Sequence, residues 1–555
     1  MICALLLLAL QDSFNEKLPT QVLFGETPSD HLQFGRRLGL SDDSLIVTSL
    51  DPDPDGLPNS LGGIYVGALY AFDREDGDFV QTQRLWHPEL RHRFDFASWL
   101  DVDSDRLVMT DSSATDNGEH VFLGRAYIYE RVAETWTLTQ TIQSTKTGNS
   151  HLFFGGSGGL EGNRLLLCEP GHPGIGAPNN GIIRLFDHDG QSFVETSRIT
   201  SPPELAAIPG GFATPLNQPL VLDGDTLMMM AVDRVIVWER SAAGVWEFTQ
   251  QLTRPNFDPV SAFALTLAID GDWMVAGHRP SPSGFLQGRV EVFRRDQATS
   301  LWEYHQTLRA ADGLAVPPQG FDNFGDEVSL SNGRALIGAP NTRNELGIVV
   351  GAAYTYLLGE DGFWHPEAVL RTDRSTTMTT GSGPFVGVNV LLDDGLAVVY
   401  SLADYRTDPT LREGSVALFE LPVGLPACQG QSNSVSGNGA RMEVLGRSFA
   451  SYGAWTIEGH DLPPMSAVLP LMGTAPGSST VSQGELCLGG TLFRLGSAFG
   501  FSDGVGHFSE SFENGDGLVE PDVLAGSTWH FQLWYRDLNP TVVSNFSSSV
   551  QLTFQ

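Results

Sequence analysis

Lysine is nearly missing from this sequence. Of 32 basic residues only Lys17 and Lys146 are lysines, and 66 acidic residues leave a formal net charge of −34. Nucleic acid and anionic membranes are recognised by basic surfaces, so neither is expected as a partner. Charged residues make up 18% of the chain and hydrophobic ones 41%, a balance that excludes a disordered polyelectrolyte. Cysteine is scarce as well: there are four and no CxxC, which excludes zinc ribbons and thioredoxin-type chemistry. Long hydrophobic runs are lacking, since nothing after the N-terminus reaches the roughly 18 apolar residues of a spanning helix. No membrane span is expected in the mature chain. HExxH, HxH, the P-loop and the dinucleotide fingerprint are all absent. No segment holds a 3.6-residue apolar period, so helix should be scarce.

Glycine, by contrast, is abundant, 62 of 555 residues, as many short strands joined by tight turns require. The chain opens with a nine-residue apolar run, Ile2–Leu10, too short to span a bilayer. Residues 1–11 read as a signal peptide lacking its basic start, and the protein is expected to be exported, secreted or at the cell surface. In that compartment Cys428 and Cys487 are expected to pair. Closing their 59-residue loop would contribute up to roughly 4 kcal/mol. Cys168, alone in the run Leu165–Cys168, reads as a small buried side chain.

One phrase recurs through the chain. It opens at Phe34, Phe96, Phe154, Leu216, Phe263, Phe324 and about Phe385, at spacings of 47 to 62 residues. A polar turn and a short apolar run follow, such as Leu45–Ser49 or Leu336–Pro340. A Gly then leads into alternating aromatic and aliphatic residues, as at Gly67, Gly124 and Gly288. The phrase ends on a pair six residues apart: Phe79 and Leu85, Trp136 and Ile142, Phe193 and Ile199, Trp246 and Leu252, Trp302 and Leu308, Trp364 and Leu370. Six is even, so both members face one side of a strand. Turns such as Asp76-Gly77 and Asp361-Gly362 precede that last strand, as hairpins require.

Four strands per repeat and seven repeats predict an all-β chain: a seven-bladed β-propeller over residues 12–424. Residues 425–555 follow as a C-terminal β-sandwich, because Trp529–Arg536 and Val550–Phe554 alternate cleanly. The seventh repeat stops after Gly414–Leu421 without its last strand. The segment around Phe14 to Leu18 is expected to supply it by pairing with Val416–Phe419, closing the ring.

Phe324-Gly325 with Gly338-Ala339-Pro340 carries a family resemblance, repeated in weaker form in phase through residues 12–424. The repeat resembles FG-GAP, that of the integrin alpha-subunit propeller and of many secreted bacterial proteins. The last 130 residues resemble a C-terminal module found in such bacterial proteins. The resemblance implies a propeller fold and a surface presented for recognition.

Asp51-Pro52-Asp53-Pro54-Asp55-Gly56, with Asn59 beyond it, spaces carboxylates as an oxygen-ligated Ca²⁺ does. The resemblance implies a calcium loop, but one placed between the first and second strands, where this chain has the short hairpin Ser41–Ser44. Two readings stay open for Asp51, Asp53, Asp55 and Asn59: a Ca²⁺ site or a solvated acidic loop. Asp101–Asp105, Asp223–Asp225 and Asp270–Asp272 read as hairpin turns rich in Asp. Gly155–Gly159 satisfies GxSxG, but the repeat register makes it a first strand rather than a nucleophile elbow. Trp136, Trp246, Trp302 and Trp364 sit at equivalent positions and read as core between repeats.

The functional expectation is a non-catalytic, monomeric binding or adhesion protein, with no catalytic residues. It would contact a protein or glycan through the variable loops after the second strands. The alternatives are an extracellular propeller enzyme acting on polysaccharide, a lyase or glycosidase, or a structural envelope component. The enzyme reading predicts converging carboxylates, Arg, His or Tyr in a central funnel.

Overall fold

The computed structural model describes residues 15–26, 33–41, 44–52, 65–75, 77–89, 96–114, 122–144, 152–171, 181–200, 220–231, 234–253, 262–279, 288–310, 322–344, 346–359, 361–373, 375, 378, 383–406, 412–446, 454–495, 499–513, 523–538 and 542–554. The architecture is all-β. Among the described residues no helix is long and apolar enough to cross a membrane. The chain divides into two compact units: residues 1–393 with 398–419, and residues 394–397 with 420–555.

The first unit is a β-propeller. Its first sheet is four consecutive antiparallel strands, Leu38–Ser41, Ser44–Pro52, Tyr65–Glu75 and Asp78–Trp86. Among the described residues the order recurs in sheets opening at Leu100–Asp103, Gly158–Glu161, Leu220–Asp223, Ala262–Asp270, Val328–Ser331 and Val386–Asp393. Each first strand lies beside the first strand of the next sheet, and Val386–Asp393 lies beside Leu38–Ser41, so these strands surround one axis.

The apolar positions of the repeat pack between sheets, because no single four-stranded sheet can cover its own two faces. Ile46, Leu69 and Ala71 of the first sheet meet Leu107, Met109, Tyr127 and Trp136 of the second. Trp136, Trp302 and Trp364 are buried in such seams, as their equivalent positions imply. The Gly that opens several of the third strands is explained at the same seam. A Cβ on Gly124, where φ is +84°, would stand 2.1 Å from the Phe154 carbonyl oxygen. Gly288 meets Phe324 in the same way. The repeat's Phe and its Gly are therefore partners across neighbouring sheets.

A glutamine ladder runs along the last strands. The Gln83 side chain donates to the Trp136 carbonyl (3.0 Å) and accepts from the Trp136 N–H (2.8 Å). Gln140 holds Phe193, Gln250 holds Trp302 and Gln306 holds Trp364 by the same pair of bonds. Gln21 holds Phe79 likewise, at 2.9 and 2.8 Å.

That last rung corrects the expected closure. The partner strand is the expected one, but the segment that joins it is Gln21–Leu23, paired antiparallel with Val416–Leu418, not the segment around Phe14 to Leu18. In the ladder the Gln lies four residues after the Trp or Phe. Gln21 therefore makes Lys17 the occupant of the aromatic position, with Leu23 six residues on. The earlier segment does something else: Asn15–Lys17 adds a parallel strand to Trp364–Leu370, with Asn15 opposite Ala368. Ala368 stands where other sheets carry the ladder Gln, so main-chain pairing replaces the missing side-chain rung. Phe14 and the apolar start lie outside the described residues.

Among the described residues the second unit has two sheets. One contains Leu425–Cys428, Ala467–Val481, Gly484–Arg494, Gly500–Phe501, Thr528–Leu538 and Val542–Thr553. The other contains Arg441–Gly446, Ala454–His460 and Phe508–Glu513. Both contribute to one apolar cluster, in which Val444, Trp455 and Ile457 meet Met472, Phe531 and Leu533. Cys428 and Cys487 form a disulfide, with Cα atoms 6.5 Å apart.

Candidate functional site

Among the described residues the first strands of the sheets stand side by side around the propeller axis. The middle positions, in repeat register, are Gly39, Asp101, Gly159, Val221, Ala268, Ser329 and Leu391. All seven line an axial channel of about 320 Å³. Trp99, Glu327 and Asn389 line it two residues earlier along their chains. Asp101 is the one carboxylate among these middle positions, and the two glycines pack against the next sheet: a Cβ on Gly39 would stand 2.7 Å from Val102 and one on Gly159 3.1 Å from Leu222.

Asp101 is held rigidly. Its Oδ2 accepts the N–H of Leu160 in the next sheet (3.2 Å), and its Oδ1 accepts the Val102 N–H (3.0 Å). Burial among glycine and aliphatic neighbours outweighs those bonds and pushes the carboxyl up to about 7. Glu327 lies just before its strand. Burial pushes it also up to about 7, against the pull of the Arg37 guanidinium, while Asp326 adds to the rise. Burial lowers Arg37 from its usual value, with Glu327 partly restoring it. The pair is thus coupled, and desolvation dominates in both partners. Trp99 packs against the third sheet, where a Cβ on Gly158 would stand 2.8 Å from its ring. Asn389 is fixed by donating to the Arg36 carbonyl (3.1 Å). The channel lining therefore includes two carboxyls raised by burial, one amide and one aromatic side chain, with the Arg37 guanidinium acting on Glu327 from outside that lining.

Of the residues singled out for calcium, Asp51 is the one described. Asp51 is buried with its carboxylate engaged: Oδ1 accepts the Ser49 hydroxyl (2.6 Å), and Oδ2 accepts Tyr70 Oη and Arg84 Nη2 (both 2.5 Å). Asp53, Asp55 and Asn59 lie outside the described residues. The Asp-rich hairpins join sheets to one another. Asp103 Oδ2 accepts the Gly162 N–H, Glu161 accepts that of Gly224 (2.9 Å), and Asp223 that of Gly271 (2.7 Å). Gly158–Glu161 is a strand, and Ser157 in the GxSxG match is buried behind it. Burial pushes the nearby Cys168 thiol up to about 12.

Asp101 was read from sequence as a turn residue, and Glu327 went unnoticed. Asp101 opens the run Asp101–Asp105, whose later acids lie at the hairpin, so no separate sequence signal marks it. Nothing in the sequence distinguishes Glu327 from a solvated acid of the Phe-Gly turn.

No family model matches the chain, and no curated protein does. Similar solved structures include the periplasmic gluconolactonase PpgL of Pseudomonas aeruginosa, 12% identical with a TM-score of 0.37, over 60% of this chain and 86% of that one. The propeller domain of the Pyrococcus furiosus trilobed protease is 9% identical with a TM-score of 0.38, over 71% of this chain and 96% of that one. An acylaminoacyl peptidase of Pyrococcus horikoshii is 8% identical with a TM-score of 0.37, over 78% of this chain and 59% of that one. The expectation of a non-catalytic protein is corrected here. The similar structures include a gluconolactonase and an acylaminoacyl peptidase. At such distances the likeness transfers no activity and no residue roles.

Proposed function

We propose that this chain is an exported, seven-bladed β-propeller of the FG-GAP type, followed by a β-sandwich, and that its axial channel is a carbohydrate-processing active site. The observation that carries the reading is the pair Asp101 and Glu327 in one channel, both with carboxyls raised to about 7. A general acid or base works best when its value lies near the operating pH. Cleavage of a glycosidic bond needs two carboxyls, one to protonate the leaving oxygen and one to act as base or nucleophile. Asp101, among apolar neighbours, is the acid. Glu327, kept partly ionised by Arg37, is the base or nucleophile. Trp99 gives a sugar ring an apolar face to lie on. A net charge of −34 repels polyuronates and favours a neutral glycan. The disulfide supports export, since such bonds persist in oxidising compartments.

The test is release of reducing ends from a panel of neutral oligosaccharides by the full chain. Activity should follow a bell-shaped pH profile, and Asp101→Asn or Glu327→Gln should lower kcat by about 10²–10⁴-fold. Variants as active as the parent, or no turnover across the panel, would refute the assignment.

A further inference from the structure

The second unit carries a constellation that the channel does not explain. Among the described residues, Glu458, His460 and His507 bring one ligand atom each within 4.8 Å of one another. The backbone dictates this arrangement. Glu458 and His460 are two apart on the strand Ala454–His460 and share a face. The strand Phe508–Glu513 pairs with it antiparallel, Gly459 opposite Phe508, so the next step along the register sets His507 beside His460. The opposite face of this sheet, with Trp455, Ile457 and Phe512, is buried in the apolar cluster. The three polar side chains therefore stand on the outer face, partly covered, with side-chain exposures of 29% for His460, 24% for Glu458 and 37% for His507.

We propose that Glu458, His460 and His507 bind one divalent transition-metal ion of the zinc class. His460 Nε2 is 3.4 Å from Glu458 Oε2, and His507 Nε2 is 3.9 Å from Glu458 Oε1. Metal–ligand bonds of about 2.0–2.1 Å in a tetrahedron put ligand atoms about 3.4 Å apart, so small side-chain rotations complete the site. The scaffold is rigid where it must be. Asp503 Oδ1 accepts the N–H groups of Val505 (2.9 Å) and His507 (2.8 Å), and the Asp503 N–H donates to the His507 carbonyl (2.7 Å). The Leu462 N–H donates to the Gly506 carbonyl (3.1 Å), tying the segment after His460 to the turn before His507. Gly506 has φ of +89°, and a Cβ there would stand 2.2 Å from the Leu462 carbonyl oxygen, so only glycine allows this approach.

Charge favours the ion. Arg441 lies opposite His460 across the other strand pairing, but its Nε is bound to Asp461 Oδ2 (3.0 Å) and its Nη1 lies 3.9 Å from Glu443 Oε1. Its positive charge is thus balanced locally. Two imidazoles and one carboxylate select zinc, copper or nickel over calcium and magnesium, which prefer all-oxygen shells. Three protein ligands on an outer face leave at least one coordination position to water.

The test is calorimetric titration of ZnCl₂ into chelator-treated, dialysed full chain, in excess MgCl₂ so that scattered carboxylates are already occupied. One saturable site per chain is expected. His460→Ala and His507→Ala should each weaken it by more than about tenfold, with circular dichroism of the metal-free protein unchanged. Zinc-edge X-ray absorption on the parent protein should show two imidazoles in the inner shell, a readout independent of how the variants fold. No saturable site, isotherms unchanged in both variants, or an all-oxygen shell would overturn the proposal. This site shares no residue with the axial channel, so glycan turnover and zinc binding are read by separate experiments.

Discussion

Asp101 and Glu327 are raised by desolvation, and that has a consequence for folding as well as for chemistry. In the unfolded chain each carboxyl returns to its ordinary value near 4. Between that value and about 7 the folded protein holds more protons than the unfolded one. The folded state is therefore penalised progressively as pH rises through this window, and the penalty is constant above it. Urea denaturation should show the parent protein losing stability from pH 5 to pH 7.5. The Asp101→Asn, Glu327→Gln double variant should lose measurably less over the same interval. Equal losses would mean that neither carboxyl is raised. Asp51 is another buried carboxyl, and its two oxygens meet the Ser49 and Tyr70 hydroxyls and the Arg84 guanidinium.

At the scale of the element, the ladder glutamines do for the last strands what main-chain bonds do within a sheet. Each Gln satisfies one N–H and one carbonyl of the next sheet, so truncation leaves both without that partner. Gln250→Ala should cost about 1–3 kcal/mol in urea unfolding. Gln21→Ala should cost a similar amount if Gln21–Leu23 completes the ring. A silent Gln21→Ala beside a costly Gln250→Ala would contradict that closure. The same residues show how much of the fold could be read in advance. The strands were legible because aromatic and aliphatic side chains recur at even spacing, and packing between sheets demands that spacing. The closing strand was misplaced because its aromatic position is held by Lys17, at the edge of the ring. The polar ladder, which fixes register there, carries no hydrophobic signal. The site was less legible than the fold. Asp101 lines the channel from a strand, but its neighbours Asp103 and Asp105 make it look like part of a turn. In the second unit, the Cys428–Cys487 bridge ties the strand Leu425–Cys428 to Gly484–Arg494. Cys428→Ser should cost up to roughly 4 kcal/mol, read as earlier proteolysis of residues 420–555 than of the propeller.

At the scale of the whole molecule, a ring of sheets surrounds one axis. The first strands place their middle residues around a channel that only loops and solvent can close. The middle positions that line it also pack between sheets, as Gly39 does against Val102 and Val221 against the neighbouring sheet. A carboxyl at one of them, Asp101, acquires an unusual proton affinity through burial. The central claim is that this axial space is where the ligand reacts. Crystals of the Glu327→Gln variant soaked with a neutral oligosaccharide that the parent protein cleaves test it most directly. The account predicts a sugar ring in the channel, against Trp99 and within hydrogen-bonding distance of Asp101. Ordered sugar only on the outer loops, with the axial channel holding solvent alone, would contradict it.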